Sequence, residues 1–152
     1  MYDALENATE VTLDNTKPTI QRKYKNGANA LVEATDTGSG LWKITESVGG
    51  NAIVTLSGTT QVAKFTLSSS SVTTVYVYDH AGNYETVTLT EETAKPTYTG
   101  LSYSQGKYTI KVTDAGAGLW KIANDSGTAL SKGDYSSSNY PTTQQTFTGT
   151  GQ

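Results

Sequence analysis

The chain has 152 residues, a formal net charge of −3, no cysteine and a single histidine. These counts exclude disulfides, thiolate metal sites and multi-histidine metal centres, and an acidic balance without a basic block argues against nucleic acid as a partner. Charged residues make up only 16% of the chain while threonine, serine, glycine and tyrosine abound, a composition unlike that of a helical bundle. No apolar run approaches the ~20 residues of a membrane span, so insertion into a membrane is not expected.

Short runs that favour strands follow one another between residues 19 and 89, each bounded by Gly, Asn, Asp or Ser. No twelve-residue segment has the helical period. Alternation places Ala30 and Val32 on a buried face, and we expect Trp42 in the core on the same face as Ile44. The predicted strands are Thr19–Lys23, Asn29–Thr35, Leu41–Glu46, Ala52–Leu56, Val62–Leu67, Thr73–Tyr78 and Tyr84–Leu89.

The chain also repeats itself. Residues 35–44 read Thr-Asp-Thr-Gly-Ser-Gly-Leu-Trp-Lys-Ile and residues 113–122 read Thr-Asp-Ala-Gly-Ala-Gly-Leu-Trp-Lys-Ile, so eight of ten positions are identical at an offset of 78. A second match aligns residues 2–13 with residues 78–89 without gaps. Self-similarity at a fixed period is the sequence signature of a tandem array.

The two matches divide the chain into three parts. We expect an N-terminal segment (residues 1–13) that is the terminal hairpin of a preceding repeat, a complete first unit (14–92), and a second unit (93–152) that lacks its last two strands. The short linker Thr90–Lys95 and the fixed φ of Pro96 predict a stiff connection between the units.

Two phrases of the sequence resemble those of tandem bacterial Ig-like domains. They are Asp-Thr-Gly-Ser-Gly-Leu-Trp-Lys-Ile at residues 36–44 and Val-Tyr-Val-Tyr-Asp-His-Ala-Gly-Asn at residues 75–83. The resemblance covers nearly the whole chain and implies an all-β fold of tandem immunoglobulin-like β-sandwich repeats of about 78 residues, with seven strands in the complete unit. It also implies an extracellular place, on a bacterial cell surface or in a secreted protein, and a stalk, spacer or adhesive role.

Catalysis is not expected. No Gly-rich phosphate loop lies between a strand and a helix, and no Gly-x-Ser-x-Gly elbow occurs. A small sandwich also offers little concave pocket for a substrate. The leading prediction is a non-catalytic spacer, with an adhesive, glycan-binding or protein-binding module as the alternative.

Acidic residues near the predicted turns have two interpretations. Aspartate and glycine are common in turns because a short carboxylate accepts backbone N–H groups and glycine tolerates positive φ. Alternatively, the loops of one unit and the end of the preceding unit bring carboxylates together at a junction, where they would hold Ca²⁺, a cation that takes six to eight oxygen ligands. The candidate ligands are Asp36, Asp79, Asn83, Glu91, Glu92 and Asp114.

Three tyrosines form the second candidate site. Alternation places Tyr76, Tyr78 and Tyr84 on the outer face of the sheet, with Tyr78 opposite Tyr84 across a hairpin. The simpler interpretation is a cross-strand aromatic pair that stabilises the sheet. The functional interpretation is a flat platform for a glycan or for a host or matrix protein, since tyrosine combines apolar area with a polar tip.

The neighbouring repeats are themselves predicted partners. A second unit without its last hairpin would expose sheet edges, and an exposed edge is a template for pairing with another chain. We therefore expect that the N-terminal segment of one chain can complete the second unit of another chain, or fold back onto the second unit of its own.

Overall fold

Every regular element of the computed structural model is a β-strand in the residues it describes, which are 1–123, 126, 129–134, 140–141 and 145–150. In these residues there is no helix of the length and apolarity needed to cross a membrane. The strands are β1 (Thr19–Asn26), β2 (Asn29–Thr35), β3 (Leu41–Thr45), β4 (Val54–Thr55), β5 (Thr60–Thr66), β6 (Thr74–Asp79), β7 (Tyr84–Thr88), β8 (Thr90–Glu91), β9 (Thr97–Ser104), β10 (Lys107–Thr113), β11 (Lys121–Ala123), β12 (Ala129–Asp134) and β13 (Gln145–Thr150). The all-β prediction is thereby confirmed, and each strand predicted between residues 19 and 89 overlaps an observed strand.

Two four-stranded sheets build the first unit. One has the order β5-β2-β1-β8 and the other the order β4-β3-β6-β7. All neighbours are antiparallel except β8, which pairs in parallel with β1 at Tyr24 and Lys25. The residues that link the two units therefore begin as a strand of the first unit's own sheet.

A single apolar core lies between these sheets, and it follows the predicted alternation. In β2 the buried residues Ala30 and Val32 are separated by one residue, and in β6 the same is true of Val75 and Val77. The remaining buried members of the core are Ala34, Leu41, Ile44, Leu56, Ala63, Phe65, Leu67, Val87 and Leu89. Small and β-branched side chains dominate, as two closely packed sheets require.

The predicted burial of Trp42 is wrong. Strand β3 carries a bulge between Leu41 and Lys43 where it pairs with β6. The extra residue places both Leu41 and Ile44 in the core, so that Trp42 and Lys43 lie on the outer face. Trp42 is consequently 39% exposed, and Trp120, in the same place of the second unit, is 45% exposed.

The second unit repeats part of this pairing. Its three-stranded sheet has the order β13-β10-β9, which matches β5-β2-β1, and β11 pairs with β12 as β3 pairs with β4. The register agrees as well, because Gln145 faces Val112 as Gln61 faces Ala34. Residues at an offset of 78 thus occupy equivalent positions in β9–β11 and β1–β3.

The N-terminal segment repeats the turn of the β6–β7 hairpin. Tyr2 bridges Ala8, and the Asp3 carboxylate accepts the backbone N–H of Asn7 at 2.9 Å and its side-chain amide at 2.7 Å. Leu5, Val11 and Leu13 are exposed, whereas the counterparts of the last two in β7 and after it are buried. Exchange of this segment between chains stays a prediction.

Candidate functional site: a carboxylate cluster, an aromatic face and the unit junction

Two of the predicted calcium ligands meet at one end of the first unit, together with a third acid. Carboxylate oxygens of Asp14, Asp36 and Asp79 all lie within 4.8 Å of one another. Asp36 and Asp79 are buried, at 3% and 0% exposure, while Asp14 is half-buried. The chain thus concentrates three acids in a small volume, and no lysine or arginine forms an ion pair with them in the described ranges.

Asp36 and Asp79 both perform the predicted turn chemistry. Asp36 Oδ1 accepts the backbone N–H of Gly40 at 2.8 Å, and Gly40 has φ +84°, which glycine tolerates best. Asp79 Oδ1 accepts the backbone N–H of Asn83 at 2.8 Å, and its Oδ2 accepts the Asn83 amide at 2.7 Å. Asn83 therefore acts as a hydrogen-bond donor that orients Asp79.

Asp14 joins the residues before β1 to this end of the sandwich. Its Oδ1 accepts the hydroxyl of Thr16 at 2.6 Å and the backbone N–H of Thr16 at 3.0 Å, and its Oδ2 accepts the N–H of Ser39 at 2.8 Å. These bonds, the Thr16 hydroxyl first, hold the pKa of Asp14 well below its usual range. Asn83 also donates to the Asp14 carbonyl at 3.1 Å. The approach to β1 is fixed as a result.

The three carboxylates have the chemistry of a calcium site, but their hydrogen bonds to turns and to the residues before β1 also account for them without a metal ion. Three carboxylates supply hard oxygen ligands of the kind that Ca²⁺ prefers. The same carboxylates already accept six hydrogen bonds from turn and linker groups. Calcium binding stays a prediction.

The remaining predicted ligands separate at the junction between the units. Glu92 lies against Gly116 in the loop that Asp114 opens, and the Asp114 carboxylate accepts the N–H of Gly118 at 2.6 Å. Glu91 turns toward the first unit instead, where it accepts the N–H of Gly27 at 3.0 Å. Its Oε2 also lies 3.7 Å from Lys25 Nζ.

Sequence reasoning missed Asp14, although a signal for it was present. The offset of 78 that aligns Asp36 with Asp114 also aligns Asp14 with Glu92. In the structure Asp14 lies against Gly38 as Glu92 lies against Gly116. Each unit thus receives an acid, from the residues before its first strand, onto its Asp-x-Gly-x-Gly loop.

The three predicted tyrosines do form one cluster on the outer face of the β4-β3-β6-β7 sheet. The ring centroids of Tyr78 and Tyr84 are 5.1 Å apart, and those of Tyr76 and Tyr84 are 5.8 Å apart in an edge-on arrangement. Tyr78, predicted to be outward and available, is only 7% exposed, and its hydroxyl accepts the N–H of Gly49 at 2.9 Å. The half-buried Tyr76 and Tyr84 are what this cluster offers to solvent.

Trp42 extends this cluster across the sheet. Its ring lies 6.2 Å from Tyr78 edge-on and 6.3 Å from the exposed His80 at an interplanar angle of 28°. Lys43 Nζ lies 4.2 Å from the centroid of Trp42. The bulge that removes Trp42 from the core therefore adds a ring to the outer face, and we name the set Trp42, Tyr76, Tyr78, His80 and Tyr84 the aromatic face.

Arg22 of β1 bridges the two units. Its Nε donates to the Glu33 carboxylate at 2.5 Å, and its Nη1 donates to the carbonyl oxygens of Ala117 at 3.0 Å and Tyr140 at 2.6 Å. Gly118 is enclosed by the same contact, because a side chain there would collide with the Tyr140 carbonyl. One guanidinium thus joins a strand of the first unit to two backbone groups of the second.

A second bridge is formed by Lys64 of β5 and Trp120. Lys64 Nζ lies 3.1 Å from the centroid of the Trp120 ring, and Lys121 Nζ lies 4.7 Å from it. Burial, and next the positive charge of Lys121, lower the pKa of Lys64. A cation over an aromatic ring is attracted by the negative face of the ring, so this contact joins β5 of the first unit to the second unit.

Comparison with known proteins adds nothing to these contacts: no family model matches the chain, and neither a curated protein nor a solved structure matches it.

Proposed function

We propose that the chain is a non-catalytic structural module, a tandem of Ig-like β-sandwich repeats that serves as a spacer in a bacterial cell-surface or secreted protein. The pairing supports the Ig-like assignment: the first, second and fifth strands share one sheet, and the third, sixth and seventh share the other. The two sequence phrases that resemble bacterial Ig-like domains support the extracellular place.

The observation that carries the spacer function is the fixed junction. Arg22 binds two carbonyl oxygens of the second unit while Glu33 holds its other end. The connection itself is tied down as well, because β8 pairs with β1 and the N–H of Glu92 donates to the Lys25 carbonyl at 2.7 Å. A spacer must keep its length and direction, and these contacts oppose rotation at the joint.

The test measures the distance between the units. Because the chain has no cysteine, Thr86→Cys and Lys107→Cys give two unique sites for nitroxide labels, one on an exposed position of each unit. We expect pulsed electron–electron double resonance to give a single narrow distribution of the distance between the two labels. Arg22→Ala should broaden it, in a chain whose first unit circular dichroism shows to be still folded.

Lys23→Ala is the matched control, since it removes a positive charge from the same strand at an exposed position. It should leave the distribution narrow. A broad distribution in the unsubstituted chain would reject the spacer function.

A second candidate function is glycan binding, and the exposure of Trp42 favours it. An exposed tryptophan beside Lys43 and His80, on the same face as Tyr84, is a combination of ring and polar groups on which a sugar can stack and form hydrogen bonds. The experiment is a glycan array with the unsubstituted chain and with Trp42→Ala and Tyr84→Ala. Saturable binding that both substitutions abolish would establish this face as the site.

A further inference from the structure

Asn26 is followed by Gly27, and this is the only Asn-Gly pair in the sequence. In such a pair the backbone nitrogen of the glycine can attack the side-chain amide carbon of the asparagine, because glycine has no side chain to hinder the approach. Asparagine is for this reason a chemically labile residue. Asn26 is exposed at the end of β1, and open space surrounds the Cβ position of Gly27. Water therefore reaches the reacting groups.

A carboxylate from the connection between the units holds the attacking nitrogen. Gly27 donates its N–H to Glu91 Oε1 at 3.0 Å, and Lys25 Nζ lies 3.7 Å from Oε2 of the same side chain. Asn26 is also paired with Asn29 in the β1–β2 ladder. To react, the Gly27 nitrogen must turn towards the Asn26 side chain, which breaks its bond to Glu91. The closed connection therefore protects Asn26.

This protection depends on a small number of contacts. Strand β8 pairs with β1 at Tyr24 and Lys25, and the N–H of Glu92 adds one bond to the Lys25 carbonyl at 2.7 Å. The Glu91 side chain is 53% exposed. A segment with few buried contacts opens locally at a lower free energy than the whole fold. Opening of β8 releases the Gly27 nitrogen while the rest of the first unit stays folded.

We propose that Asn26 is a self-modification site, deamidated through Gly27, and that Glu91 limits the rate of the reaction by holding the Gly27 nitrogen. A bond forms between Gly27 N and Asn26 Cγ, and the bond between Cγ and Nδ2 breaks. The departing nitrogen leaves as ammonia, with the proton that Gly27 N loses. Water then opens the cyclic imide at one of its two carbonyl carbons, which gives aspartate or isoaspartate at position 26.

The product changes the connection in one direction. A carboxylate at position 26 stands next to the Gly27 N–H that Glu91 binds, and like charges at this separation repel each other. Isoaspartate also lengthens the main chain by one carbon at the end of β1. Both products oppose the return of Glu91 to Gly27, so that the connection stays open after the reaction. This consequence rests on the proposed spacer function, whereas the site itself does not.

Mass spectrometry of the full chain tests the site. The chain is incubated at neutral pH and body temperature for several weeks, and deamidation raises the mass by about one dalton. Fragmentation of the tryptic peptide that begins at Asn26 distinguishes this residue from Asn29. We expect the product at Asn26 and not at Asn29, which precedes alanine. An unchanged mass, or equal reaction at both residues, would overturn the proposal.

Three variants test the control that Glu91 exerts. Glu91→Ala should accelerate deamidation by roughly three- to tenfold, the factor that one net hydrogen bond represents. Glu85→Ala is the matched control and should leave the rate unchanged, because Glu85 is likewise a partly exposed acid beside a lysine, Lys17 at 4.0 Å. Asn26→Gln should stop the reaction, since its longer side chain disfavours the five-membered imide. Circular dichroism melts confirm that each variant folds. An equal or lower rate in Glu91→Ala would overturn the role of Glu91.

The nitroxide labels at positions 86 and 107 test the consequence for the junction. Asn26→Asp reproduces one product and should broaden the distance distribution. Asn51→Asp is the control, since it makes the same change of charge at an exposed position between β3 and β4. A narrow distribution in Asn26→Asp would overturn the effect on the junction. A broad distribution in the unsubstituted chain would reject the spacer function instead, and the mass of the incubated chain would still decide whether Asn26 is the site.

Discussion

The acids that precede the first strands of the two units, Asp14 and Glu92, occupy equivalent positions in different surroundings. Both lie against a loop in which an aspartate accepts the N–H of a glycine four residues later. Asp14 is fully engaged by Thr16 and Ser39, while Glu92 keeps one oxygen buried and unpaired in the described part of the chain. In the second unit Ala94 stands in place of the Thr16 hydroxyl, whereas the donor from Ser39 is a backbone N–H, which Ala117 also has.

The comparison separates what the loop needs from what the junction needs. Asp36 and Asp114, with Gly40 and Gly118, suffice to form the loop, since its hydrogen bond is present in both units. The residues next to the loop determine whether the carboxylate before the first strand receives hydrogen bonds on both oxygens or keeps one oxygen unpaired. A repeat can thus keep its fold while its junctions differ.

The largest expected effect tests whether the first unit is a self-contained core. Leu41→Ala removes a side chain with no exposed surface from between the two sheets. Loss of burial and the cavity left behind should reduce the free energy of unfolding by about 2–5 kcal/mol. Urea denaturation measures this change. Val48→Ala, at a position that is 57% exposed, should change stability by less than about 0.5 kcal/mol.

The next largest expected effect is stabilisation by calcium. It distinguishes a carboxylate cluster that only accepts hydrogen bonds from one that also binds a metal ion. If the acids at 14, 36 and 79 bind Ca²⁺, calcium at a hundredfold excess over its dissociation constant should stabilise the fold by about 2.7 kcal/mol. Asp79→Asn should abolish the rise in melting temperature. Asp3→Asn is the control, because Asp3 has the same bonds to its hairpin but stands alone. A melting temperature that is the same with calcium and with chelator would reject the metal site.

Exchanging the residues at positions 16 and 94 should give each acid the surroundings of the other. Thr16→Ala removes the hydroxyl donor of Asp14 and should destabilise the first unit by about 0.5–1.5 kcal/mol. Ala94→Thr offers the buried Glu92 carboxylate a hydroxyl donor and should stabilise the chain by a similar amount. Chemical denaturation checks both variants. Equal stability of Thr16→Ala and the unsubstituted chain would show that the backbone donors alone suffice.

The smallest expected effect is the pH dependence that Asp14 contributes. Its pKa is lowered in the folded state, so its contribution to stability is present above the unfolded value of about 3.9 and is lost as pH falls through the folded pKa. The free energy of unfolding should therefore decrease less steeply below about pH 4 in Asp14→Asn than in the unsubstituted chain. Solvent reduces the size of this difference, since the carboxylate is accessible to water. Identical slopes would contradict the assigned hydrogen bonds.

Local pattern predicted most of the strands but not every side chain on them. The strand Asn29–Thr35 matches its prediction at both ends, because a period of two and flanking turn residues are local properties. Trp42 could not be placed, since a bulge depends on how β3 registers with β6, a strand some thirty residues later. The convergence of Asp36 and Asp79 followed from strand order, whereas the contact of Lys64 with Trp120 joins residues that share no local pattern.

The parallel pairing of β8 with β1 has a mechanical consequence. A pull on the two ends of the first unit acts on the start of β1 and on the end of β8, in opposite directions along their common axis. The bonds between Lys25 and the Glu91–Glu92 segment are then loaded in shear, all at once, and are not peeled apart one after another. A stalk built from such units should therefore resist stretching most strongly at the strand that leads out of each unit, as single-molecule extension of the chain would measure.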